Sequence, residues 1–151
     1  MLFIPHLRGS GPPRRNPNSR GVFAGIGENS SQNELLFAVH LGVALELRNL
    51  YQSMGITGMS RMKVIGPAIK NPLWMQLKAD ILGIPVVACD IQEAVARGAI
   101  MIAAKSYGGT SELKCIEQEY TPDIGHMTLL EDIYTKRYVP LSDAIAHWEN
   151  T

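Results

Sequence analysis

The sequence has 151 residues, 46% of them hydrophobic, and its 14 basic and 14 acidic side chains give a formal net charge of zero. This length and apolar content predict one folded domain with a core and exclude a disordered tail. Zero net charge gives no general attraction to nucleic acid or membranes, and no apolar run approaches the ~20 residues that span a bilayer. We therefore expect neither nucleic acid nor a membrane as a partner. The apolar start is too short for a secretory signal, so a cytoplasmic location is expected by default.

The sequence shows no spacing that is typical of a metal site. Its two cysteines, Cys89 and Cys115, lie far apart and form neither a zinc pattern nor a CxxC redox pair. The four histidines show no ligand spacing either. We predict two reduced thiols and no bound metal.

The first 30 residues combine short apolar stretches with many glycines and prolines, which predicts a loop with edge strands at 2–4 and within 21–26. The clearest helix follows. Ser31 and Glu34 form an S-x-x-E capping box ahead of a helical apolar pattern, and Gly55 supplies the C-terminal stop. The spacing predicts one buried stripe along this helix, made of Leu36, Val39, Val43, Leu47, Leu50 and Met54.

The middle of the chain begins a strand–helix alternation. A short apolar strand is predicted at 62–65, and Asn71 followed by Pro72 is a strong start for a helix that Gly83 closes. The apolar face of this helix is predicted to be Leu73, Trp74, Leu77, Ile81 and Leu82.

A second strand is predicted over 84–89 and an alanine-rich, closely packed helix over 92–106. The alternation predicts an α/β unit with a parallel strand pair. The rest of the chain is more polar, and we predict a loop over 111–125 and two helices split at Pro140. These helices span 127–138 and 141–148.

Residues 64–86 carry a resemblance to a known family. They read VIGPAIKNPLWMQLKADILGIPV and resemble the adenosine motif of FGGY-family carbohydrate kinases, in which a Gly-Gly-Gly/Ala turn leads into K-S/N-P-L-W-x-Q-x-x-A-D-x-L-G. Three further stretches resemble family segments in the right order, at 3–25, 40–50 and 94–104. The resemblance covers about residues 2–108, and its wording is closer to the xylulokinase-like pentulose and sugar-acid branches than to glycerol kinases.

The resemblance implies an incomplete actin-like, ribonuclease-H-like ATPase domain. Such an α/β domain has a short mixed sheet with packed helices and, here, a helical C-terminal tail. We expect a single partial domain over 1–151, with a loop and edge strands in 1–30, a nucleotide-binding core in 31–108 and the tail in 109–151.

The resemblance also implies a reaction. The family transfers the γ-phosphoryl group of ATP to a sugar hydroxyl, with Mg²⁺ neutralising phosphate charge and a base taking the hydroxyl proton. Adenine nucleotide, Mg²⁺ and a sugar are therefore the expected ligands. The family's catalytic aspartate and sugar contacts have no counterpart in this sequence, so we assign no catalytic residue and expect no activity from the chain alone. A partial sheet exposes an edge and apolar area, which predicts a complementing chain or a homodimer.

Five residues of the turn are the candidate nucleotide-binding residues. A strand that ends in a glycine turn before a helix offers backbone donors and the positive end of the helix dipole. Gly66 and Ala68 are small enough for a ring or a phosphate to approach the backbone closely. Asn71 can present its amide to the adenine edge, although it also fits as an N-cap, and Lys70 suits a phosphate, although an exposed lysine is the simpler interpretation. Pro67 departs from the family's glycine and removes one backbone donor.

Three other residues are interpreted as neither ligands nor catalytic groups. His40 lies off the predicted stripe of its helix and is interpreted as a surface residue, not a ligand. Trp74 is interpreted as a core residue in preference to an adenine-stacking platform. Asp80 is interpreted as a structural acceptor, not a base.

Two alternatives to a kinase portion stay open. The first is a binding module that holds an adenine nucleotide or a protein without catalysis, which Pro67 and the missing base motivate. The second is an inactive remnant of a kinase, which the incomplete sheet motivates. The residues that would read a sugar are expected elsewhere, so the sequence identifies no sugar.

Overall fold

The computed structural model describes residues 1–91, 93–109 and 115–149. These residues form an α/β domain with a two-stranded sheet, a three-stranded sheet and packed helices. The strands are β1 (Leu2–Ile4), β2 (Val22–Ala24), β3 (Met62–Val64), β4 (Val86–Asp90) and β5 (Ile116–Tyr120). The helices are α1 (Gln32–Ser53), α2 (Pro72–Leu82), α3 (Ala94–Ser106), α4 (Ile124–Ile133) and α5 (Val139–Glu149), with a 3₁₀ turn at Pro67–Lys70 and a π-helical turn at Tyr134–Tyr138.

The three-stranded sheet has the order β3–β4–β5. Strand β3 runs parallel to β4, with Met62 opposite Val86, and α2 connects them, which confirms the predicted parallel unit. Strand β5 is antiparallel to β4, with Tyr120 opposite Val86, so the loop predicted over 111–125 is wrong at its centre. Residues 111–114 of that loop lie outside the described residues. The strand was missed because only Tyr120 of β5 is buried, and its sequence therefore lacks an apolar alternation.

Helix α1 begins at the predicted capping box. Ser31 Oγ accepts a hydrogen bond from the Glu34 N–H at 3.2 Å, and the Glu34 carboxylate accepts one from the Ser31 N–H at 2.7 Å. The predicted buried stripe is wrong, since Leu36, Leu50 and Met54 are among the exposed large apolar residues. The buried face consists of smaller residues together with two leucines, because β1 lies close against the helix there. It is made of Ala38, Leu41, Gly42, Ala44 and Leu45.

Two apolar clusters form the core. The larger one joins β1, α1 and α2 to the C-terminal helical segments, and its members Ile4 and Tyr138 have no exposed surface. The smaller one lies between α2 and the three-stranded sheet. The larger cluster consists of Ile4, Leu41, Ala44, Leu45, Leu77, Ile81, Leu130, Tyr134 and Tyr138, and the smaller of Met75, Ala79, Val86, Ala88 and Tyr120.

The C-terminal helical segments are continuous. Helix α4, the π-helical turn and α5 follow one another without a break, so the predicted split at Pro140 is wrong. Pro140 is the second residue of α5 and follows the π-helical turn directly. The Val139 N–H instead bonds the Tyr134 carbonyl five residues earlier, which widens the helix just before the proline.

Two further packing predictions need correction. In α2, Leu73 is exposed, whereas the buried residues include the charged Lys78 and Asp80. Helix α3 was predicted to be closely packed, but none of its described residues is buried, and Val95 is 88% exposed. Within the described ranges, no helix combines the length and apolar character needed to cross a bilayer.

Candidate functional site

The candidate site is the turn that joins β3 to α2. At Gly66 the backbone has φ 92° and ψ −175°, a conformation that is essentially restricted to glycine. A Cβ atom added there would meet no heavy atom within 4 Å. Glycine is therefore required by the backbone conformation and not by crowding, and the space in front of the turn is open.

The chain then forms a 3₁₀ turn before α2 begins, which sequence reasoning did not predict. Pro67 is its first residue, a position where a proline's fixed φ suits the backbone. The turn is closed by hydrogen bonds from the Ile69 N–H to the Gly66 carbonyl, 3.2 Å, and from the Asn71 N–H to the Ala68 carbonyl, 3.1 Å. Pro67 thus fits the local fold, and its missing N–H matters only for a ligand.

Asn71 is held by two side-chain contacts. Its Oδ1 accepts from the Trp74 N–H at 3.1 Å, which confirms the predicted N-cap. Its Nδ2 lies 3.0 Å from His40 Nε2, while His40 Nδ1 lies 2.8 Å from the Leu36 carbonyl oxygen. A carbonyl oxygen can only accept, so Nδ1 carries the ring proton and Nε2 accepts from the Asn71 amide. His40 is half-buried, and its hydrogen bond orients Asn71, in contrast to the surface role predicted for it.

Trp74 is a packing residue, as predicted. The His40 and Trp74 rings are nearly perpendicular, with 5.7 Å between centroids and 87° between planes, and Lys78 Nζ lies 4.2 Å from the Trp74 ring centroid. Burial lowers the pKa of Lys78, and the cation–π contact compensates part of the cost of burying its charge. Trp74 also packs against the smaller apolar cluster of the core. Sequence reasoning missed Lys78, although its spacing of four residues from Trp74 indicates this contact.

The two remaining predicted residues lie beside these. Lys70, like Pro67, is exposed, whereas Gly66, Ala68 and Asn71 are half-buried. The cavities around Glu46, Glu131 and Phe37 are lined by other parts of the chain. The turn thus lies at the surface, with open space at Gly66.

Asp80 has the structural role that was predicted for it. The residue is 3% exposed, and its carboxylate accepts hydrogen bonds at 2.8 Å from Gln76 Nε2 and from the Asp123 N–H. His126 Nδ1 lies 3.3 Å from its other oxygen. These contacts join α2 to the start of α4.

Sequence reasoning missed a partly buried polar network that joins His6, Glu46 and Tyr138. The Tyr138 hydroxyl donates to the Glu46 carboxylate at 2.8 Å, and His6 Nε2 lies 3.6 Å from its other oxygen. Burial alone would raise the pKa of Glu46, but the nearby His6 ring and the hydrogen bond from Tyr138 outweigh it and lower the pKa. The network borders a cavity of about 310 Å³. No sequence signal indicates it, because its three residues come from three distant segments.

The fold defines a class of protein, the α/β domain with the actin-like fold. Residues 1–107 match the model of the FGGY family of carbohydrate kinases, C-terminal domain. The chain therefore belongs to the FGGY family of carbohydrate kinases, as the adenosine motif indicated.

Relatives of known identity and structure agree with this assignment. The chain is 33% identical over 111 residues to a glycerol kinase of Gloeobacter violaceus. This alignment covers 72% of this chain and 22% of that protein. A xylulose kinase of Brucella ovis superposes with a TM-score of 0.85 at 20% identity, over 97% of this chain and 32% of its own. The glycerol kinase of Plasmodium falciparum with ADP superposes with a TM-score of 0.67 at 20% identity, over 97% of this chain and 30% of that chain. These superpositions show the fold, and the chain spans less than a third of each relative.

Proposed function

We propose that the chain is the ATP-binding C-terminal portion of a carbohydrate kinase that transfers the γ-phosphoryl group of ATP to a sugar hydroxyl. The observation that carries this proposal is the open turn at Gly66, which joins the three-stranded sheet to a helix N-terminus in a family of ATP-dependent kinases. Adenine nucleotide is the ligand that suits this turn, because exposed backbone and a helix N-terminus suit phosphates and planar rings.

The five turn residues have different roles in this proposal. Gly66 and Ala68 let the nucleotide approach the backbone, and Lys70 reaches a phosphate from its exposed position. Asn71 uses one amide hydrogen toward His40, and the second is available to read the adenine edge. Pro67 cannot donate, and one missing hydrogen bond of about 0.5–1.5 kcal/mol weakens nucleotide binding by up to about tenfold.

The turn does not fit Mg²⁺. This ion prefers carboxylate and phosphate oxygens, and residues 66–71 contain no carboxylate. In this proposal the ion is held mainly by the phosphates and by the rest of the kinase, and no step is assigned to it here.

The catalytic base and the sugar contacts are assigned to the remainder of the kinase, as part of a longer protein or of a complementing chain. Exposed apolar side chains support this, since Val95, Ile102 and Tyr107 on or beside α3 are 88%, 72% and 93% exposed. An apolar surface of this kind is typical of an interface. The division of residues 1–151 into a loop region, a nucleotide-binding core and a tail, and the cytoplasmic location, stay predictions.

Nucleotide titration tests the role of the turn. We expect calorimetry to detect ADP and ATP binding, and Gly66→Ala to weaken it at least about tenfold, because a side chain in this backbone region costs about 1–3 kcal/mol and rearranges the turn. Gly55→Ala is the matched control, since Gly55 also has positive φ, 61°, with no heavy atom within 4 Å of an added Cβ. Equal losses in the two variants would refute the site.

Complementation tests the reaction. The chain is mixed with the N-terminal portion of a family kinase, and ADP release is measured with pentuloses, glycerol and gluconate. We expect ADP release with at least one of these acceptors. A folded complex that binds ADP but releases none in turnover would favour the second candidate, a non-catalytic nucleotide-binding module, which Pro67 supports.

A further inference from the structure

Three potential metal ligands meet on one face of the three-stranded sheet. Cys89 of β4 lies directly opposite Glu117 of β5, and Cys115 precedes Glu117 by two residues, so all three share a face. The Glu117 Oε1 atom lies 3.8 Å from Cys89 Sγ and 3.7 Å from Cys115 Sγ. The ligand atoms of the three residues all lie within 4.8 Å of one another.

These distances match those between the ligands of one tetrahedral ion. With Zn–S bonds of about 2.3 Å and Zn–O bonds of about 2.0–2.2 Å, neighbouring sulfur and oxygen ligands are about 3.5–3.7 Å apart. The two observed sulfur–oxygen separations therefore need to change by only a few tenths of an ångström. Shifts of this size are within the reach of side-chain torsions.

The sheet register argues against a disulfide between the two cysteines. Cys89 and Cys115 are diagonal neighbours, since the residue opposite Cys89 is Glu117. Diagonal pairs have Cα atoms about 7–8 Å apart, whereas a disulfide needs about 4.4–6.8 Å. An ion between the sulfur atoms bridges this longer distance without a backbone shift.

A reactive catalytic cysteine is also a poor interpretation. Burial, followed by the contact with Cys115, raises the pKa of the Cys89 thiol, which makes it a weak nucleophile. Both thiols are free in the described structure.

We propose that Cys89, Cys115 and Glu117 form a binding site for a thiophilic divalent cation of the Zn²⁺ type. Cys89 is the buried ligand and Glu117 the solvent-facing one, so a water molecule can complete a four-coordinate shell. Binding replaces the two thiol protons, which pass to solvent, and requires no oxidant. The ion would fasten the beginning of β5 to β4. This inference is independent of the proposed kinase function.

Lys63 gives the site a competing cation. Its Nζ lies 2.5 Å from the same Glu117 oxygen, in a pair with both side chains exposed. An exposed ion pair of this kind contributes little, so a divalent ion can displace the ammonium group. Removing the lysine charge should therefore strengthen metal binding, which is the opposite of what removal of a ligand does.

Cobalt titration of the full chain tests the proposal, because thiolate ligands give Co²⁺ a charge-transfer absorption. We expect one Co²⁺ per chain, displaced by Zn²⁺, and a Tm that rises with either ion. Cys115→Ser should weaken binding at least about 100-fold, since even residues behind metal ligands contribute 10–100-fold. Glu117→Gln should weaken it in the same direction, whereas Lys63→Gln should strengthen it about tenfold or less.

Glu119→Gln is the matched control, because Glu119 is exposed on the same strand and face but lies outside the cluster. Circular dichroism checks that each variant is folded. The proposal is overturned by a folded wild-type chain without a charge-transfer band, or by a band that Cys115→Ser leaves unchanged. It is also overturned if Glu119→Gln weakens binding as much as Glu117→Gln, or if both thiols oxidise to a disulfide in metal-free buffer.

Discussion

The contact between α1 and β1 depends on a glycine, and the replacement Gly42→Ala tests how closely these elements pack. Gly42 is buried in the middle of α1. A Cβ atom added to it would lie 2.1 Å from the Phe3 carbonyl oxygen, 3.0 Å from the Phe3 carbonyl carbon and 3.2 Å from Phe3 Cβ. Two of these atoms belong to backbone, so no rotamer change can relieve the clash.

The magnitude follows from two opposing effects. Alanine favours a helix over glycine by about 0.8–1.0 kcal/mol. Overpacking costs about 1–3 kcal/mol or more, and a clash that requires a backbone shift of roughly 1 Å belongs at the upper end. The net expectation is a loss of about 2 kcal/mol in the free energy of unfolding. For a chain of this length, that lowers the Tm by about 4–8 °C.

The matched control makes the same substitution where there is room. Gly98 lies inside α3, and an added Cβ would meet no heavy atom within 4 Å. Gly98→Ala should therefore stabilise the protein by up to about 1 kcal/mol, since only the helix preference remains. Urea unfolding followed by circular dichroism measures both variants. If Gly42→Ala were neutral or stabilising, the close approach of α1 to β1 would be refuted.

Two other predictions concern the carboxylates of Glu46, which is half-buried, and Asp80, which is buried. Hydrogen bonds lower the folded-state pKa of Glu46 below its usual 4.5. The ionised carboxylate therefore contributes fully to the free energy of unfolding above pH 4.5, and this contribution is lost as the pH falls through the lower folded-state pKa. Tyr138→Phe should cost about 1.5–3 kcal/mol at neutral pH and reduce this acid dependence of unfolding; an unchanged pH profile would contradict it. Asp80→Ala should cost about 1–3 kcal/mol because Gln76 Nε2 and the Asp123 N–H lose the acceptor that they share, whereas Asp132→Ala, at an exposed ion pair, should stay within about 0.5 kcal/mol in the same urea assay.

The parts of the fold that the sequence predicts are those with local causes. The capping box at Ser31, the Asn71 cap and the Gly83 stop are each set by a few neighbouring residues, and all three occur as predicted. The parallel pair of β3 and β4 follows from the order of these local signals. The adenosine motif is also local, and it sufficed to identify the family.

The failures have a common cause, which is that burial depends on partners from distant segments. The face of α1 was assigned to its largest apolar residues, but the approach of Phe3 selects the face that carries Gly42. Strand β5 forms through backbone pairing with β4, and its exposed side chains give no sign of it. The contact of His40 with Asn71 and the cluster of Cys89 with Cys115 join residues whose spacing has no meaning until the sheet register is known.

The distinction between local causes and distant partners also decides how Pro67 should be tested. Its backbone position suits proline, so the departure from the family's glycine affects a ligand's hydrogen bond and not the turn. Pro67→Gly should therefore strengthen ADP binding by up to about tenfold, since it restores one donor of about 0.5–1.5 kcal/mol. It should also lower the free energy of unfolding by about 1 kcal/mol, because glycine gives the unfolded chain more freedom. Calorimetry and urea unfolding measure the two effects separately. A variant that loses stability without any gain in ADP affinity would show that this backbone N–H does not contact the nucleotide.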